Sequence, residues 1–278
     1  MSITVAFQGI HGAYSEQALR QQFGEDVTVF PCPDFNELFE SLQTGKVDYA
    51  ILPVENSVAG SVNGAYELLL EYDFRIQADI ILHVRHQLVG VPGTKLEDVK
   101  FVRSHPQALA QCDRYLKRHN MQSMPWYDTA GSALDLSREC PSNTAAIASR
   151  LASQLYGLEI MDSDIEDMPF NYTRFFVLGH EDPIRGEYNK TSLVFATRNR
   201  PAALYECIGE FSTRGLNITK LESRPRRNRP WEPVFYLDFE GFWQDAPCQE
   251  AMLKLLQRAS FVKLLRSYPA TTTNTVGM

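Results

Sequence analysis

Thr173 and Arg174 interrupt an otherwise apolar run, Asn171–Gly179, just after the loop Asp167-Met168-Pro169-Phe170. Tyr172–Leu178 is rich in strand-favouring residues, and Gly179 ends the run. A guanidinium at the front of a strand suits a carboxylate, which it can grip through two parallel N–H groups. A hydroxyl beside it can hydrogen-bond a reacting oxygen. An unaided threonine is a poor acid, so its help is positional and electrostatic unless the site also polarises it. The plain alternative is a strand threonine next to a surface arginine.

Three turns share a chemistry that could serve the same ligand. They are Gln8-Gly9-Ile10-His11-Gly12-Ala13-Tyr14-Ser15, Pro53-Val54-Glu55-Asn56-Ser57-Val58-Ala59-Gly60-Ser61, and Arg103-Ser104-His105-Pro106-Gln107. Each leaves a strand, supplies Gly, Ser or Asn, and is expected to enter a helix. Free N–H groups and the positive end of the helix dipole make such turns seats for anions. Three of them at the carboxyl ends of strands could hold a carboxylate-rich ligand without a lysine cluster. Read structurally, they are helix caps: Ser104-x-x-Gln107 has the form of a capping box, and the glycines relieve tight turns. Gly9-x-x-Gly12 lacks the spacing of a dinucleotide or P-loop fingerprint, and the six histidines show no metal-binding spacing such as H-E-x-x-H. His105, before Pro106, reads as structural. No metal and no nicotinamide cofactor are expected.

These residues need a scaffold, and the first ~180 residues alternate short apolar runs with helical patterns, as an α/β layer fold requires. Strands are predicted at Ile3–Phe7, Val27–Phe30, Tyr49–Pro53, Phe101–Arg103, Met124–Tyr127 and Ala145–Ala148. Helices are predicted at Ala13–Phe23, Phe35–Leu42, Gly64–Tyr72, Gln107–His119, Ser132–Ser137 and Arg150–Tyr156. Arg75–Val91 is long and β-like, broken around His83-Val84-Arg85-His86, and suits a crossover between two lobes. A polar, turn-rich boundary follows at 182–190. Beyond it the order is β (Thr191–Thr197), α (Ala202–Thr213), β (Asn217–Glu222), β (Val234–Glu240), α (Cys248–Ala259), β (Val262–Tyr268). That βαββαβ order is the ferredoxin-like unit, and about 80 residues suit a small separate domain. The expected domains are thus residues 1–182 and 190–270.

Composition narrows the class. With 278 residues the chain can bury a sizeable core. Its 34 acidic and 27 basic residues give a net charge of −7, which argues against nucleic-acid binding. No stretch of 18 apolar residues predicts a membrane helix, and the N-terminus reads as a strand and not a signal peptide. Five scattered cysteines, none in a C-x-x-C pair, fit reduced thiols in the cytoplasm.

Taken together, Gly9-x-x-Gly12-x-Tyr14-Ser15, Pro53-Val54-Glu55-Asn56-Ser57, Ser104-His105-Pro106-Gln107 with Gln111-Cys112, and Thr173-Arg174-Phe175 resemble the prephenate dehydratase family. The C-terminal unit resembles its ACT regulatory domain, through Gly215-Leu216-Asn217-Ile218 and Glu222-Ser223-Arg224-Pro225. The resemblance spans essentially the whole chain. It implies a catalytic region of two α/β lobes, like a type II periplasmic binding protein, with the site in the cleft. It implies Thr173 as the catalytic residue, and Glu55, Asn56, Ser104, Gln111, Arg174 and Phe175 as substrate-binding residues. It further implies feedback by L-phenylalanine at paired ACT domains, in a dimer or dimer of dimers, with Ala203, Leu204, Leu216, Asn217, Ile218, Glu222 and Ser223 as the effector site. The family often shows Gly-Ala-Leu where this chain has Pro201-Ala202-Ala203-Leu204, a loss of backbone freedom. The chain begins directly at its first strand, so no fused chorismate mutase is expected.

The implied reaction converts prephenate, a dicarboxylate with a ring hydroxyl, to phenylpyruvate, carbon dioxide and water. It needs no redox cofactor or metal: the protein holds the carboxylates, helps the hydroxyl leave, and aromatisation drives the step. Arogenate, with an amino group in place of the keto oxygen, fits the same residues. A two-lobed carboxylate sensor carrying an ACT domain is the non-enzymatic alternative.

Overall fold

The structure, a computed structural model, describes residues 3–226 and 229–271. The first segment runs β1 (Thr4–Gln8), α1 (Tyr14–Phe23), β2 (Thr28–Cys32), α2 (Phe35–Gln43), β3 (Tyr49–Asn56), β4 (Gly60–Ser61), α3 (Asn63–Glu71) and β5 (Arg75–His83). Helix α2 shows why such stretches fold as they do. The Asp34 carboxylate accepts from the Glu37 N–H at its start, and Leu38, Phe39 and Leu42 recur on one buried face.

The second segment runs β6 (Gln87–Gly90), β7 (Phe101–Ser104), α4 (Pro106–Gln111), α5 (Asp113–Arg118), β8 (Gln122–Pro125), α6 (Thr129–Glu139), β9 (Thr144–Ala148), α7 (Arg150–Tyr156) and β10 (Glu159–Asp162). Strand β11 (Tyr172–Gly179) then returns to the first sheet, whose order is β2-β1-β3-β11-β5 with β4 paired to β3. The second sheet has the order β10-β6-β9-β7-β8. Each sheet is thus one lobe, and residues 84–86 and 163–171 are the crossing segments. They bond to each other: Val84 N–H donates to the Asn171 carbonyl at 2.8 Å, Ile165 N–H to the His86 carbonyl at 3.0 Å, and His86 N–H to Glu166 Oε2 at 2.9 Å.

Three expectations are corrected. The Pro53–Ser61 turn does not enter a helix; it closes a short antiparallel hairpin, Glu55 opposite Ser61, before α3 begins. The helix expected at Gln107–His119 is two helices broken at Cys112. Asp167 occupies the break: its N–H donates to the Gln111 carbonyl at 2.7 Å, and its carboxylate accepts from Arg114 N–H. The cap of α4 is His105, which accepts from Gln107 N–H at 3.2 Å, and not Ser104. Strands β4 and β10, too short to show a pattern, were not expected.

The last segment is β12 (Asn189–Ala196), α8 (Ala203–Ser212), β13 (Ile218–Arg226), β14 (Arg229–Glu240), α9 (Ala246–Arg258) and β15 (Phe261–Pro269). Its antiparallel sheet has the order β13-β14-β12-β15, the ferredoxin-like arrangement. Leu193, Phe195, Phe211, Leu237, Phe239 and Leu255 form its core.

The chain divides into two compact units. One comprises the residues up to Ala65 with Ile80–Phe175; the other comprises Tyr66–Asp79 with the residues from Phe176 on. In the second, the Tyr66 ring stands 4.6 Å from that of Tyr236, whose hydroxyl donates to the Tyr66 carbonyl at 2.6 Å. Lys263 Nζ caps the Leu70 and Tyr72 carbonyls. None of the described helices is long and apolar enough to cross a membrane.

Candidate active site

A cleft of about 210 Å³ opens within the first unit, bordered by Tyr14, Ser15, Asn56, His86, His105, Gln107, Gln111, Thr129, Thr173 and Phe175 among others. Among the described residues its lining carries no Lys, Arg, Asp or Glu. Tyr14 and Ser15 open α1, Gln107 opens α4, and Thr129 opens α6, so three helix N-termini face one space. Two of these starts belong to the turns singled out in the sequence; the third, at Thr129, was not foreseen.

Thr173 enters the cleft because side chains alternate along a strand. On β11, Thr173 and Phe175 line the cavity, and Arg174 falls on the other face. On β3, Pro53 and Asn56 line the cleft and Glu55 does not. Of the expected site residues, Asn56, Gln111, Thr173 and Phe175 are therefore brought together. Glu55 and Arg174 do not line the cavity. Ser104 is fully buried, and its hydroxyl donates to the Ile147 carbonyl at 2.8 Å, tying β7 to β9.

One hydrogen-bond chain links the lining residues. Asn56 Oδ1 accepts from the backbone N–H groups of Val58 and Ala59, at 3.0 and 2.8 Å. Backbone amides only donate, so Asn56 Nδ2 must point the other way. It donates to Thr173 Oγ1 at 2.9 Å and to Asn171 Oδ1 at 2.8 Å, with the Tyr172 carbonyl further off at 3.2 Å. Asn171 Nδ2 then donates to Gln111 Oε1 at 3.1 Å. On its far side Gln111 Oε1 lies 2.8 Å from His86 Nε2, and His86 Nδ1 lies 2.7 Å from the Tyr14 hydroxyl. Thr173 Oγ1 accepts within this chain, and none of the described hydrogen bonds takes up its proton.

His86 and Asn171 were missed as site residues, although His86 stood in the break of the long β-like segment and Asn171 opened the run that carries Thr173. Burial lowers the His86 pKa, against the Gln111 hydrogen bond and the Glu166 charge, and so favours the neutral ring. Burial also raises the Tyr14 pKa well above its ordinary value, aided by Cys112 and Glu166, so its hydroxyl stays protonated. Among the described residues no group of three His, Cys, Asp or Glu side chains could hold a metal ion.

The expected effector residues lie in the second unit. Ala203 and Leu204 begin α8, Leu216 and Asn217 join α8 to β13, and Ile218, Glu222 and Ser223 belong to β13, an edge strand. Leu204, Leu216 and Ile218 are half-buried against the domain core. Ala202, where the family often has glycine, adopts φ 63°, ψ 0°, the left-handed conformation that glycine takes without strain. A cavity of about 540 Å³ in this unit, bordered by Arg185, Tyr188 and Phe242, contains none of the expected effector residues.

The family model for prephenate dehydratase matches residues 5–183. Arogenate dehydratase/prephenate dehydratase 2 of Arabidopsis thaliana, a chloroplastic protein, is 39% identical over 98% of this chain and 74% of its own. The crystal structure of prephenate dehydratase from Arthrobacter aurescens in complex with L-Phe is similar at TM-score 0.87 and 32% identity, covering 96% of this chain and 89% of that one. The structure of GqqA, described as a novel type of quorum quenching acylase, is similar at TM-score 0.90 and 33% identity, covering 98% and 99%. Two lobes built on separate sheets, a threonine hydroxyl held by an asparagine in an uncharged cleft, and these matches agree: the chain belongs to the prephenate dehydratase family.

Proposed function

We propose that the protein converts prephenate to phenylpyruvate, and that Thr173 is the proton donor. The observation that carries this reading is the Thr173 hydroxyl, which accepts from Asn56 and keeps its proton for the ligand. Breaking the ring carboxylate's C–C bond releases carbon dioxide and sends its electron pair into the ring. The ring C–O bond breaks, and the departing oxygen takes the Thr173 proton to leave as water. Threonine recovers a proton from solvent, so each turnover consumes one. The Asn56 N–H stabilises the charge that develops on Thr173 Oγ1, and no solvent reorganisation is needed at that moment. The helix N-termini and the Gln111 amide hold the side-chain carboxylate, and Phe175 supports the ring. Ser104, Glu55 and Arg174 act on substrate binding through the strands that carry the lining residues.

Amide hydrolysis, which the likeness to GqqA raises, would need a base to activate a nucleophile. The side chain bonded to Thr173 is an amide donor, and His86 Nε2 is turned to Gln111. Arogenate is the second reading, favoured by the name of the plant relative that is 39% identical. The test is purified protein given prephenate and arogenate side by side, with phenylpyruvate read by its absorbance in alkali and phenylalanine by chromatography. Prephenate turnover that Thr173→Val abolishes supports the reading. Turnover of arogenate alone reassigns the substrate, and binding without turnover makes the protein a sensor.

The second unit acts as an ACT domain that binds L-phenylalanine between paired copies, in a dimer or dimer of dimers, and slows the dehydratase. The Arthrobacter aurescens relative, crystallised with L-Phe, supports this. The ring would rest on Leu204, Leu216 and Ile218, with Asn217, Ala203, Glu222 and Ser223 around the polar end. Calorimetric titration tests it: Asn217→Ala should weaken phenylalanine binding by about tenfold, the scale of one or two hydrogen bonds. Unchanged affinity would move the site elsewhere. The cysteines are free, four of them buried, as suits a reducing cytoplasm.

A further inference from the structure

We propose that His86 and Tyr14 are positioning residues that set the polarity of the Gln111 amide and so turn its NH2 group toward the ligand. The inference rests on the dehydratase reading only in taking that ligand to be the substrate carboxylate. Gln111 Oε1 has two lone pairs, and both are occupied: Asn171 Nδ2 donates from one side at 3.1 Å and His86 Nε2 from the other at 2.8 Å. Gln111 Nε2 makes no hydrogen bond among the described residues, and Gln111 lines the cleft. An amide whose oxygen is saturated from behind can offer its ligand only N–H donors, which a carboxylate needs and a cation rejects.

The Asn171 side of this lock is set by backbone, through Asn56 and the Val58 and Ala59 amides. The His86 side depends on which ring nitrogen carries the proton. A neutral ring donates from Nε2 only if Nδ1 is bare, and a bare Nδ1 needs a donor. The Tyr14 hydroxyl, 2.7 Å away, is that donor. The same hydroxyl lies 3.1 Å from the Arg85 carbonyl. If the ring takes a second proton, Tyr14 can accept from Nδ1–H and turn its own proton to Arg85. Nε2 donates to Gln111 in both states, so the lock holds across the titration of the ring. The titratable groups about the ring are Tyr14 from α1, Cys112 between α4 and α5, and Glu166 from the crossing segment, which accepts the His86 N–H. The Arg85 guanidinium is paired with Asp164, and His105 borders the same cleft.

Tyr14→Phe removes the donor and leaves the ring free to move its proton to Nδ1, which turns a lone pair toward Gln111 Oε1. We expect KM for prephenate to rise about fivefold near pH 8, the scale of one neutral hydrogen bond, with kcat less affected. Lowering the pH below the depressed pKa of the buried ring protonates it, restores the Nε2 donor and brings the KM ratio of variant to wild type back toward one. A ratio that stays constant with pH makes Tyr14 a packing residue and overturns the proposal. Nitrogen-15 spectra of the full chain, which distinguish protonated from bare ring nitrogens, give a reading independent of activity. Wild type must show Nε2–H with bare Nδ1 at pH 8, and the Nδ1–H tautomer there overturns the proposal. Thr173→Val assayed alongside separates the two failures: full activity in that variant sinks the dehydratase mechanism and leaves the spectroscopic result standing.

Discussion

Replacing Thr173 by valine keeps the shape of the side chain and removes only its hydroxyl. The cost to the fold is small for a countable reason. Asn56 Nδ2 has two hydrogens and three acceptors in reach, and after the substitution Asn171 Oδ1 and the Tyr172 carbonyl still take both. We expect a loss of about 0.5–1.5 kcal/mol, one net hydrogen bond. The cost to catalysis is larger. A positioned proton donor contributes ~10²–10⁴-fold, so kcat should fall by about 10²-fold or more, at least ~2.7 kcal/mol of barrier. Thr173→Ser keeps the hydroxyl and should retain part of the activity. Asn56→Ala is the contrasting case, because it strands the Val58 and Ala59 amides and Asn171 Oδ1 together, and should cost about 2–4 kcal/mol of stability. The assay is phenylpyruvate formation under saturating prephenate, with stability from denaturant midpoints. If Thr173→Val turns over within about threefold of wild type, the hydroxyl donates no proton in the rate-limiting step and the reasoning fails.

Gly12 stands at φ +87°, and a Cβ there would lie 2.8 Å from Ala152 Cα, so Gly12→Ala should destabilise by about 2–4 kcal/mol; an unchanged denaturant midpoint would show that the loop relaxes freely. Ala202 holds a left-handed conformation, and Ala202→Gly should relieve about 1 kcal/mol of strain, less the entropy glycine adds to the unfolded chain. A fall in melting temperature would contradict that. Burial lowers the His86 pKa in the folded chain, so as pH falls through its ordinary value of 6.5 the unfolded chain takes up the proton first. Stability from this group is full above about 6.5 and declines below it, so the stability gap between wild type and His86→Gln should narrow from pH 7 to pH 5, measured by urea unfolding. A gap that is constant or widens would refute the sign.

Much of this molecule follows from local pattern. Hydrophobic period and caps marked the strands and helices to within a few residues, down to the helix Arg150–Tyr156, because Ser149 and Gly157 cap it from within the sequence. The break in Arg75–Val91 was legible because His83-Val84-Arg85-His86 interrupts an apolar run, and it is where the chain passes between lobes. Thr173 was legible because a hydroxyl and a guanidinium are out of place in a buried strand. What the sequence could not decide is which neighbours complete each group. Whether Thr173 or Arg174 faces the cleft depends on strand parity within the sheet. Asp167 breaks the helix after Gln111 from more than fifty positions away, and Asn56, Asn171, Gln111, His86 and Tyr14 come from five separate stretches of chain. Hydrogen-bond polarity propagates through space and not along the backbone. Asn56 takes its direction from the Val58 and Ala59 amides beside it, whereas the direction of the Gln111 amide was set only when the two sheets came together.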